Sequence, residues 1–143
     1  MMTITSSSNP TIKLIKSLYK KKDRWNKRLF IAEGIKIVDE CIDSNWPIKY
    51  IIYTNKLFNI VGGSELFNKI QALPNVINVP DKLFHDISDV ETPQGVLAVI
   101  PFEVQKLENI DTEKKPFFLL LDRVQDPGNL GTIIRTADAF GID

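Results

Sequence analysis

Apolar positions recur at helical spacing near the start of the chain. Asn9 is placed to accept from an orphan backbone N–H, and Pro10 fits a first helical turn because its missing donor costs nothing there. Leu14 and Leu18, and Ile15 and Tyr19, are i,i+4 pairs on one face, and Trp25 and Leu29 follow at the same spacing. The spacing predicts one basic amphipathic helix from Pro10 to an aromatic far end at Trp25. The period then shortens. "LFIAEG" reads as a buried strand ending at Gly34, "IKIVDECIDSN" as a helix with Ile35, Val38 and Ile42 on one stripe, and "IKYIIY" as a strand closed by Thr54 and Asn55. Gly62-Gly63-Ser64 opens a helix carrying Leu66, Phe67, Ile70 and Leu73, which Pro74 stops. "VINV" is a strand, "DKLFHDI" a short helix, and "GVLAVI" a strand ended by Pro101. Strands and helices alternating at this pace predict an α/β layered domain over residues 1–100.

Residues 101–116, "PFEVQKLENIDTEKKP", are polar, charged and bounded by prolines, and read as a linker. "FFLLLD" follows, an apolar run without alternation that predicts a strand buried on both faces, as inside a parallel sheet. Pro127-Gly128 suit the centre of a type II turn, with Asn129 as the cap of a last helix. Leu130, Ile133, Ile134, Ala137 and Phe140 form its stripe, and Gly141 ends it where a left-handed backbone is tolerated. At about 100° per residue, Arg135 projects roughly 160° from the middle of that stripe. Gly131, Thr132 and Ala139 lie beside it, so a large group can approach the guanidinium closely.

Composition narrows the chemistry. The chain is 43% apolar and 25% charged, as globular proteins are, and no apolar run approaches the ~20 residues that span a bilayer. A secretory leader pattern is absent from the N-terminus. Cys41 and His85 are each the single residue of their kind, which argues against a disulfide, a transition-metal site or a Cys–His nucleophile and fits a reducing cytoplasm. Net charge is zero, yet residues 1–28 hold eight basic residues against Asp23 alone, a net +7 balanced by −7 over the rest. Such a dipole steers toward a polyanion. Lys20, Lys21, Lys22, Arg24, Lys27 and Arg28 are the candidate phosphate contacts; Trp25 either stacks on a base or packs on its helix. The glycines of the last turn match neither a P-loop nor a full dinucleotide fingerprint.

The C-terminal run closely resembles the first signature motif of the SpoU/TrmH branch of SPOUT RNA methyltransferases. It stands here as Asp126-Pro127-Gly128-Asn129-Leu130-Gly131, Arg135-Thr136-Ala137 and Phe140-Gly141. "SSNPTIK", "KKDRWNKRLFIAEGIKIVDE" and "ETPQGVLAVI" look like the family's N-terminal RNA-binding domain, an α/β/α sandwich similar to kink-turn-binding ribosomal proteins. The resemblance implies methyl transfer from S-adenosylmethionine to a ribose 2′-hydroxyl of rRNA or tRNA, with no metal, and a homodimer for the full-length protein. By position Arg135 matches the family's catalytic arginine and Asn129 its companion asparagine. A guanidinium can clamp a phosphate bidentately and stabilise charge growing on the 2′-oxygen. It is a poor base, because it barely deprotonates.

One departure bears on activity. The family binds its methyl donor in a deep trefoil knot built by later segments, and residues 117–143 supply only the first strand and helix of that catalytic domain. The chain therefore reads as a family member cut short, and S-adenosylmethionine is not expected to bind it. Residues 117–143 lack a full partner layer and are expected to fray, dock or pair with another copy. An enzyme represented by its RNA-binding domain and a non-catalytic RNA-binding module both remain open, separated by whether the coding sequence continues.

Overall fold

Five strands form one sheet in the order β1-β4-β3-β5-β2 in the computed structural model, which describes residues 2–111 and 116–142. They are β1 (Met2–Thr3), β2 (Leu29–Glu33), β3 (Tyr50–Tyr53), β4 (Val76–Asn78) and β5 (Val96–Pro101). β1, β4 and β3 run parallel, and β5 is antiparallel to both of its neighbours. Register is fixed at the centre, where Ile52 faces Ile77 on one side and Leu97 on the other. The chain divides into two compact units, Met1–Glu103 and Val104–Asp143, and the whole sheet belongs to the first.

Helices cover both faces of the sheet. Ile12, Ile15 and Leu18 from α1 (Pro10–Ser17) and its cap, with Leu83 and Phe84 from α5 (Asp81–His85), close over Ile52, Ile77, Leu97 and Val99. On the opposite face, Ile35 and Val38 from α3 (Ile35–Asp43), with Leu66 and Ile70 from α4 (Gly63–Ile70), cover Ile51, Val76, Val96, Ala98 and Ile100. The period-2 alternation of side chains thus feeds two cores from one strand, which is why β5 reads as unbroken apolar sequence. This is the α/β/α sandwich that the resemblance implies.

The predicted N-terminal helix is two helices. α1 ends at Ser17, and α2 (Lys21–Lys27) starts after Lys20 in extended conformation. The reason lies in the stripe itself. The positions that continue Ile12, Ile15 and Leu18 at i+3 and i+4 are Lys21 and Lys22, so a straight helix would turn lysines onto the core. β1 has no sequence signal, being two residues long. β5 runs through Pro101, and α4 ends at Ile70, short of Pro74.

Gly95 sits at φ +77°, and a Cβ there would lie 2.9 Å from the Leu57 backbone nitrogen, so both conformation and space demand glycine at the entry to β5. Tyr19, in the break between α1 and α2, donates its hydroxyl to the Ile87 carbonyl at 2.8 Å. Burial pushes that phenol well above its ordinary range, and the charges of Glu33 and Asp89 push it further.

In the second unit, Phe117–Leu121 form no strand. Their side chains are between 43% and 89% exposed, and no sheet partner for them exists among the described residues. A strand needs a ladder, and among the described residues no strand pairs with this run. The helix α6 (Pro127–Ala139) starts earlier than expected, with Asp126 rather than Asn129 as its N-cap. The Asp126 carboxylate accepts from the Asn129 amide at 2.7 Å, and Pro127 fills the first helical position. Gly128 is helical, without the positive φ of a type II turn, because the aspartate has already nucleated the first turn. The other end is as expected. Gly141, at φ +67°, donates to Asp138 and Ile142 to Ala137, the paired bonds of a Schellman stop.

Leu97→Ala is expected to cost about 2–5 kcal/mol in urea unfolding, and Leu97→Met under about 1.5 kcal/mol. Tyr19 gives a pH test. The folded form holds its proton more tightly than the unfolded chain, so this stability is complete below about pH 10 and falls as the pH rises beyond it. Unfolding from about pH 9 to 11 should show that fall, and Tyr19→Phe should flatten it.

Candidate nucleic-acid interface and motif helix

α2 is a polar helix with no buried residue, so its side chains are spent on the surface. The structure separates the six candidate cations into two groups. Lys20, Lys21 and Lys22 are exposed and project from the helix start, where they form no salt bridge among the described residues. The other three have local work. Arg24 is half-buried, and its Nη1 donates to the Leu18 and Tyr19 carbonyls at 3.0 and 2.8 Å, closing the C-terminal end of α1. Lys27 Nζ donates to Asp23 at 2.6 Å, which holds that carboxyl below its usual range, with Lys20 and Lys22 adding to the effect. Arg28 caps α2 in a left-handed backbone at φ 54°.

The Arg28 guanidinium lies 5.2 Å from the centre of the Trp25 ring and 5.9 Å from that of Phe102, and the two rings meet edge-to-face at 5.7 Å. The i,i+3 spacing of Trp25 and Arg28 could have suggested the first contact. Phe102 is too far away in sequence to have been found that way.

In α6 the motif residues arrange one another. Thr132 donates its hydroxyl to the Gly128 carbonyl at 3.0 Å and accepts from Arg135 Nη2 at 3.2 Å. A Cβ at Gly131 would stand 3.3 Å from Arg135 Nη1, so this glycine leaves the guanidinium room to lie back along the helix. A Cβ at Gly128 would stand 3.0 Å from the capping Asp126 oxygen. Asn129 and Arg135 are both exposed, and no hydrogen bond joins them. Six residues of helix set them roughly 9 Å apart along the axis. The space between Phe117, Leu119 and the α6 side chains Ile133, Ala137 and Phe140 is an apolar groove of about 450 Å³.

Among the described residues no three metal-ligating side chains cluster, and no helix is long and apolar enough to cross a membrane. Burial raises the Cys41 thiol, which keeps it protonated inside the second core.

The MRM3-like substrate binding domain matches residues 9–98. The chain belongs to that family. Across its full length it is 34% identical to the Bacillus subtilis 23S rRNA (guanosine(2553)-2′-O)-methyltransferase RlmP, of which it covers 53%. The crystal structure of an rRNA methyltransferase from Sinorhizobium meliloti superposes with a TM-score of 0.74 at 37% identity, over 98% of this chain and 52% of that one. The AdoMet-bound form of the same methyltransferase gives a TM-score of 0.73 over 51% of its chain. The chain thus spans about half the length of the relatives it matches, and a further solved relative, at 32% identity and a TM-score of 0.68 over 94% of this chain and 49% of that one, is a putative RNA methyltransferase of the TrmH family from Porphyromonas gingivalis.

The apolar groove on α6 does not fit the methyl donor. Its ammonium, carboxylate and sulfonium need charged and polar partners, whereas the groove on α6 offers the hydroxyls of Thr132 and Thr136 and otherwise carbon.

Arg24→Ala should cost about 1–3 kcal/mol in urea unfolding, because two carbonyls at the α1 end are deprived of a charged donor. Arg24→Lys keeps the charge without the planar fork and should recover less than half of that stability.

Proposed function

We propose that this chain is the RNA-binding half, with the first motif helix, of an AdoMet-dependent methyltransferase acting on a ribose 2′-hydroxyl of rRNA or tRNA. The observation that carries the reading is the motif helix. Asp126 to Gly141 holds the family's residues at the family's spacing, and local contacts account for Asp126, Gly128, Gly131 and Gly141. In this reading residues 1–100 bind the RNA, residues 101–116 connect, and residues 117–143 begin the catalytic domain.

Lys20, Lys21 and Lys22 are the strongest phosphate contacts, since no described residue holds them in a salt bridge. Arg24, Lys27 and Arg28 add positive potential from positions fixed by their own contacts. Arg135 holds the target nucleotide's phosphate and steadies charge on the 2′-oxygen, and Asn129 fixes the loop against the ribose. For Arg135 to reach a phosphate, its bond to Thr132 must be exchanged, and a 3.2 Å contact on an exposed helix face yields at little cost. Homodimerisation of the full-length protein and a cytoplasmic location belong to the same proposal.

Calorimetric titration of the chain with structured rRNA and tRNA, and separately with S-adenosylmethionine, tests it. RNA binding without donor binding is expected. Donor binding would mean that the α6 groove holds what its lining argues against, and no RNA binding would end the proposal. Lys20, Lys21 and Lys22 changed together to Ser should lower the slope of log K against log salt by about 2–3, since each neutralised phosphate contributes just under one.

A further inference from the structure

The first unit leaves two tryptophans half in water, Trp25 at 48% and Trp46 at 49% exposure, and neither belongs to a core. Between them runs a continuous aromatic row. Trp25 meets Phe102, Phe102 meets Phe30 at 6.2 Å, and Phe30 meets Trp46 edge-to-face at 6.1 Å. Trp25 thus keeps about half its surface in water on a helix that supplies no residue to either core.

Arg28 sharpens the point. Among the described residues four other than glycine have positive φ: Asn45 and Asn75, of the type that tolerates it, and the arginines Arg28 and Arg123. At the cap of α2 glycine would serve better than Arg28. What the arginine adds is a planar cation held against Trp25 and Phe102, and its backbone is pinned by donation to the Arg24 carbonyl and acceptance from the Phe102 amide at 3.0 Å. At Arg28, unlike the exposed Arg123, the left-handed backbone comes with a guanidinium held over two aromatic rings, a fixed geometry that points toward a ligand. Lys21 and Lys22 stand four and three residues before Trp25, on the same side of α2, about 5–6 Å away between Cβ atoms. A flat ring, a guanidinium held over it and two adjoining cations match one unpaired nucleotide, because every base has a π-face and its flanking phosphates are anionic. A duplex hides those faces except at its ends.

We propose that Trp25, Arg28 and Phe102 form a stacking platform for one unpaired nucleobase of the bound RNA, with Lys21 and Lys22 on its flanking phosphates. This rests on the RNA-binding reading above and adds to it a preference for single-stranded elements.

The test uses the whole chain in a Trp46→Phe background, which leaves Trp25 as the sole tryptophan. A twelve-nucleotide single-stranded RNA and a blunt duplex of the same sequence are titrated in parallel. Quenching of Trp25 emission by the single strand is expected, with little by the duplex. Trp25→Ala should weaken single-strand binding between about fivefold and a hundredfold without changing the salt slope, and Trp25→Phe should recover most of it. Circular dichroism checks that the variants fold, and the quenching measurement needs no variant at Trp25 itself. RNA binding with a normal salt slope but no quenching and no effect of Trp25→Ala would overturn the platform and leave the RNA-binding reading standing. Failure of both RNAs to bind would remove both.

Discussion

Everything in the first unit depends on one strand being apolar on both faces. β5 lies between β3 and β2, sends Leu97 and Val99 into one core and Val96, Ala98 and Ile100 into the other, and is fully buried over those five residues. β3 and β4 also feed both cores, through Ile52 and Ile51 and through Ile77 and Val76, but β5 does so over the longest stretch. If β5 slipped by one residue, every side chain would change face and both cores would be remade at once. The glycine that starts this strand is fixed by the Leu57 backbone against it, so the register is set at its entry.

Much of this is legible in the sequence, for reasons that also explain what is not. β3 and β5 are largely runs of buried residues and β2 an apolar run buried at Leu29 and Ala32, each bounded by turn-forming positions, and the stripe of α3 falls where Ile35 and Val38 are buried. Two failures share a cause. A single N-terminal helix and a strand at Phe117–Leu121 both follow from local apolar pattern, and both need a tertiary partner to decide them. At Lys21 the core surface ends, so the helix breaks. At Phe117–Leu121 no described strand is there to join, so the apolar run does not become a strand. The cap of α6 fails differently: Asp126 and Asn129 are both good caps, and the proline between them fits the first helical turn better than it fits a wider bend.

The candidate site is legible as residue types and less so as roles. Charge alone makes the six cations of residues 20–28 equivalent. Geometry divides them into three that face water and three that hold helix ends, an aspartate and an aromatic pair. The same holds in α6, where periodicity shows Arg135 only as a lone cation among small residues. Those residues prove to be specific: Thr132 tethers it, and Gly131 gives it room.

Phe102 carries a mechanical consequence. It is the penultimate residue of the first unit, and its amide is bonded to the Arg28 carbonyl while its ring abuts Trp25. Tension arriving along the chain from beyond Glu103 is therefore borne first by this bond and this ring contact, before any strand of the sheet feels it. The end of the aromatic row is thus the first contact loaded at the exit of the unit, and a base stacked on Trp25 would add to the force needed to peel that exit away.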